Sequence, residues 1–145
     1  MYRSLIIFHI ITSSFFVMIA IALTTRSFLG WSKNLKYSKI DKYMAFVFLM
    51  LLYITLVNGI IMYFLIDPSS KSPTDIQLAV KRASLRFWVV EHFYVMTFAL
   101  ILSQIGGIFI RKSTEDKNRF GYAVFYYGIA TLITIVSVTF YFIYR

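Results

Sequence analysis

Four long apolar stretches, at 4–25, 43–66, 87–110 and 120–143, leave this chain little choice of architecture. Each exceeds the ~20 residues that carry an α-helix through the hydrocarbon core of a bilayer. Their interiors hold almost no charge, Glu91 near one end being the exception. Hydrocarbon offers no hydrogen bonds, so the backbone must satisfy its own polar groups and such stretches become helices. The prediction is an all-α fold: an integral membrane four-helix bundle, a single domain over 1–145 with no soluble domain. Charge agrees, since only 14% of residues are charged, against about one quarter in a soluble domain. Segment 4–25 is too long for a signal-peptide core and lacks a good small-x-small cleavage pattern. It therefore reads as a span of the mature protein.

The net charge of +9 raises the question of nucleic acid, and the placement of the charges answers it. Lys and Arg lie in the connections between spans, the pattern that sets membrane orientation. Nine of them fall in the connections after spans one and three, and six on the opposite side. By the positive-inside rule both termini and the central connection face outward, toward the periplasm if the membrane is a bacterial inner membrane. No nucleic-acid partner is expected. Cysteine is absent, which excludes disulfides, thiolate-held iron–sulfur clusters and covalent c-type haem.

Between the spans, Gly30 and Trp31 suit a turn at the membrane interface, with Tyr37 and Tyr43 continuing an aromatic belt. Asp67–Pro68 ends span two. Ser72, Pro73 and Asp75 make a helix start for an amphipathic, basic lead-in over 73–86. A polar hairpin turn over 112–118 joins spans three and four.

The chemistry-bearing residues are few. His9 and His92 are the only histidines, each five residues beyond the start of its stretch. Spans one and three run the same way, so at ~1.5 Å per residue both imidazoles lie ~7–8 Å below one membrane face. His92, Met96, Ala99, Ser103 and Gly107 share a face, as do His9, Ser13, Phe16, Ala20 and Thr24. Small residues on such faces let helices approach, or leave room for a flat macrocycle between them. Two imidazoles are a standard axial pair for haem iron. The same residues also suit interfacial hydrogen bonding and plain helix packing.

Arg86, and after it Arg82, could pair with haem propionates. Glu91 points about 100° away from His92 and suits an interfacial pairing with Lys81, Arg82 or Arg86. Thr55, Asn58 and Gln104 could meet a quinone carbonyl or hydrogen-bond between helices. Gly106–Gly107 lies deep in a span and reads as helix packing. No catalytic constellation is present, so the chain is not expected to be an enzyme on its own.

Around Leu85-Arg86-Phe87-Trp88-Val89-Val90-Glu91-His92 and Gly106-Gly107-Ile108, the sequence resembles the short bacterial four-span membrane proteins labelled cytochrome B or cytochrome-b-like. Phe8-His9-Ile10, Ser38-Lys39-Ile40-Asp41-Lys42 and the Gly59…Tyr63-Phe64 end of span two are similar too. The chain departs from that group after His9, where Ile10-Ile11-Thr12-Ser13-Ser14-Phe15 replaces a run with glycine, arginine and tryptophan. The resemblance implies haem b and a role in electron transport. The expectation is one haem between His9 and His92 in a redox subunit, with lipid and other membrane subunits as partners. The competing expectation is a cofactor-free accessory or assembly subunit. A third is a quinone-reactive subunit.

Overall fold

The computed structural model describes residues 2–65 and 87–143. Among them the chain forms four long helices: α1 (Tyr2–Ser32), α2 (Lys39–Leu65), α3 (His92–Lys112) and α4 (Asp116–Ile143). A π-helical turn, Phe87–Glu91, leads into α3. All four are long and apolar enough to cross a membrane, which makes this an integral membrane protein. The amphipathic lead-in expected at 73–86, and the Asp67–Pro68 stop, lie outside the described residues.

Each helix packs on its neighbours in sequence, and α1 closes the ring against α4. The helices α1 and α3 therefore stand at opposite corners of the bundle. Outside, large apolar side chains such as Phe15, Met18, Phe46, Phe98, Leu132 and Phe142 are exposed, as a lipid-facing surface requires. Inside, three buried hydroxyls bond to their own helix. Ser103 Oγ donates to the Ala99 carbonyl at 2.7 Å, Thr131 Oγ1 to Tyr127 at 2.7 Å and Thr134 Oγ1 to Ala130 at 2.9 Å. The bundle's middle is filled by Phe16, Phe48 and Tyr127, with ring centroids 5.2 Å and 5.0 Å apart in sequence.

The turn expected at Gly30 and Trp31 falls later. Both residues are helical, and α1 runs on to Ser32. The chain reverses at Asn34, which takes φ 50°, a left-handed conformation that asparagine tolerates better than most residues. The Leu35 N–H reaches back to the Gly30 carbonyl at 2.9 Å, and Leu35 packs on the core. This is a Schellman ending with asparagine in place of glycine. Gly30 serves packing instead: a Cβ there would lie 2.5–2.6 Å from the Phe120 ring.

The start of α2 is tied down by Ser38 and Asp41. The Asp41 carboxylate accepts the Ser38 N–H and hydroxyl, both at 2.8 Å, which is the return half of a capping box. It also accepts Arg26 Nε from α1 at 2.9 Å. Arg26 lies over the Phe120 ring at 5.9 Å and Arg119 over Tyr37 at 5.7 Å. Two cation–π contacts thus clasp the α1–α2 connection to the start of α4. Burial pushes the Tyr37 phenol up to about 12, with Asp41 adding to the rise and Arg119 opposing it. It stays a neutral packing group.

Helices α3 and α4 approach closely at Gly106, where a Cβ would collide with the Cβ of Tyr126. That contact is rigid on both sides, so relief requires the helices to separate. Gly106→Ala should cost about 1–3 kcal/mol. At Gly107 a Cβ would meet only the Tyr127 hydroxyl at 3.5 Å and Leu49 at 4.0 Å, so Gly107→Ala should be close to neutral. Unfolding midpoints in detergent will compare the two. Equal midpoints would mean that α3 and α4 do not pack this closely at Gly106.

Candidate functional site

At the end of the bundle opposite the α1–α2 connection, the first two turns of α1 and α3 meet the last turns of α2 and α4. Antiparallel packing sets the levels. Asn58 Nδ2 on α2 donates to the Leu5 carbonyl on α1 at 3.2 Å, and the Cβ position of Gly59 lies 3.8 Å from His9 Cε1. On the other side Thr134 Oγ1 of α4 contacts Met96 Sδ of α3 at 3.9 Å. Phe87 stacks on Tyr141 at 4.6 Å between centroids. His9 and His92 thus share one end of the molecule.

His9 is half-buried, and its Nδ1 is shut away from solvent with no hydrogen-bond partner among the described residues. A buried polar atom left in that state is costly. His92 is also half-buried and lies against the Phe87 ring at 6.0 Å. The π-helical turn carries one more residue per turn than an α-helix would, a feature often found at functional sites. Here it delivers the buried Phe87 ring to the side of His92.

The matched-offset expectation needs one amendment. His92 opens α3 after a π-helical turn, so its level follows from contacts with α2 and α4. A count from the start of an uninterrupted helix does not set it. The two helices are also diagonal, so their small-residue faces do not pack on each other. Ala20 and Ser103 turn inward, while Gly106 serves α4 and Thr24 lies against Gly128 of α4.

Arg82 and Arg86, expected as propionate partners, lie outside the described residues, as does Lys81. Glu91 is exposed, in keeping with an interfacial position. Asn58 and Gln104 both hydrogen-bond between helices, Gln104 Nε2 to the Tyr53 hydroxyl at 2.6 Å. Thr55 instead returns to the Leu52 carbonyl of its own helix at 3.0 Å. Sequence reasoning missed Gly59, Phe87 and Tyr141 as the surroundings of the histidines. Counting back along the antiparallel α2 from its end would have brought Asn58 and Gly59 level with His9. The pairing of Phe87 with Tyr141 had no such signal, because aromatics are abundant on every helix.

Two imidazoles at one end of the bundle, that of His9 with a buried nitrogen lacking a hydrogen-bond partner among the described residues, are donors of the kind that would hold a haem. Among the described residues no group of three or more His, Asp or Glu could hold a bare metal ion. Compared with family models, curated proteins and solved structures, the chain gives no match.

Proposed function

We propose that this protein binds one b-type haem and carries electrons in the membrane, as a relay or as the redox subunit of a larger membrane complex. His9 and His92 are its ligands in this reading. The observation behind it is that the chain's two imidazoles lie at the same end of the bundle, His9 beside Gly59 of α2 and His92 beside the Phe87 ring that stacks on Tyr141 of α4. Held by both imidazoles, a haem would serve electron transfer rather than oxygen binding.

The chain's own residues do the rest. His9 and His92 hold the group from α1 and α3. Gly59 leaves space beside the His9 ring, and Phe87 with Tyr141 closes the site on the α3–α4 side. Arg86 and Arg82 are the proposed partners of the propionates. With the positive connections inside, both termini and the haem end face the periplasm of a bacterial inner membrane.

The test is a reduced-minus-oxidised absorbance spectrum of protein purified from haem-replete cells. A b-type spectrum at about one haem per chain is expected. A colourless, folded protein would overturn the reading and leave the cofactor-free accessory subunit in its place. Acceleration of haem reduction by added quinol would identify a quinone-reactive subunit.

Gly59 supplies a graded check. A Cβ at Gly59 makes only ordinary contact with His9 at 3.8 Å, so Gly59→Ala should keep its haem. Gly59→Leu must displace the imidazole, and haem per chain should fall by about tenfold, since misplacing a ligand costs that much or more. Equal haem content in the two variants would remove Gly59 from the site.

A further inference from the structure

The opposite end of the bundle carries a second feature, independent of any haem. A groove of about 390 Å³ runs between the end of α1 and the start of α4, lined by Trp31, Lys117, Asn118, Gly121, Tyr122 and Phe125 among others. We propose that it binds the headgroup of an anionic phospholipid.

Its chemistry is graded along α4. Lys117 and Asn118 stand at the polar end, and Phe125 lies two turns further into the membrane-spanning helix, ~10–12 Å away at the helical rise. A phospholipid has the same polarity, with a phosphate at the interface and an apolar body below it. Gly121 shapes the groove. It has no side chain, and the Trp31 indole edge lies over it, with Cδ1 and Nε1 each 3.5 Å from where a Cβ would be. The indole N–H is thereby placed at the groove wall as a donor.

Charge selects the sign of the ligand. Nine Lys and Arg residues sit at this end, namely those between Arg26 and Lys42 and between Arg111 and Arg119, against three carboxylates. Those carboxylates are already engaged. Asp41 is held by Arg26 and Ser38, Asp116 lies 3.7 Å from Arg119 Nη1, and Glu115 accepts the Asn118 amide at 2.9 Å. Lys117 forms no ion pair among the described residues. A basic cluster beside a membrane attracts anionic headgroups by about 1 kcal/mol per cation. The aromatic groove adds a defined seat to that general attraction.

The experiment uses the full chain purified in neutral detergent. Native mass spectrometry reads lipid retention after addition of phosphatidylglycerol, phosphatidylcholine or glycerol phosphate. One phosphatidylglycerol per chain should be retained, in about tenfold preference to phosphatidylcholine, with no retention of glycerol phosphate. Lys117→Gln, at an exposed position, should weaken retention about fivefold. Gly121→Leu should fill the groove and abolish it. The double variant Lys39→Gln with Lys42→Gln, at the same end but on α2, should weaken retention less than Lys117→Gln does. An equal loss there would reduce the effect to diffuse charge and overturn the proposal. So would equal retention of phosphatidylcholine, or stable binding of glycerol phosphate.

Discussion

Alanine at both His9 and His92 is expected to abolish haem absorbance and to leave the four-helix bundle folded. The chain offers no other imidazole and no thiolate, so both imidazole ligands vanish together and only thioethers remain as soft donors. The fold should survive, because the bundle's packing centres on Phe16, Phe48 and Tyr127, away from the histidines. His9 Nδ1 makes no hydrogen bond among the described residues, so no protein–protein bond is lost at that atom. Each single variant should keep at most a weakly held haem with an altered spectrum, since one of the two proposed ligands is gone. Circular dichroism checks the fold, and pyridine-haemochrome analysis counts the haem. A normal haem spectrum in the doubly substituted protein would reject the assignment.

The second large effect lies at the other end. Asp41→Ala should destabilise the protein by about 3 kcal/mol, read as a drop in unfolding midpoint in detergent. Asp41 is almost wholly buried, with a side chain 3% exposed against 36% for Arg26. Its removal strips the Ser38 cap from α2 and leaves a guanidinium against the Phe120 ring with no counter-charge. Arg26→Ala should cost less, because Asp41 keeps its two bonds from Ser38. The reverse order would show that a buried Asp41 carboxylate left without its counter-charge costs more than the lost helix cap. A surface pair at Arg119 and Asp116, 3.7 Å apart, should change stability by no more than ~1 kcal/mol when broken.

Much of the candidate site was legible before any coordinates. Two histidines near the starts of parallel spans had to lie toward the same face, because helical rise and alternating direction leave no alternative. Asn58 and Gln104 were readable as interhelical donors, since an amide in hydrocarbon must find a partner. The turn after α1 was misplaced onto Gly30 because glycine is the commoner left-handed residue. Asn34 does that work here, and Gly30 is small because Phe120 presses on it. The half-buried Arg26–Asp41 pair could not be read at all. Fifteen residues separate the two, and each alone resembles an ordinary interfacial charge.

The sequence by itself determined the number of spans, their alternation and the membrane face toward which both imidazoles lie. Those follow from apolar length, backbone hydrogen bonding and a fixed rise per residue, all of them local properties. Only the tertiary structure decided which helices touch. It placed α1 and α3 at opposite corners, put Gly59 beside His9 and laid Trp31 over Gly121. Neighbour choice depends on how side chains of four helices interlock at once, and no single segment's pattern encodes that.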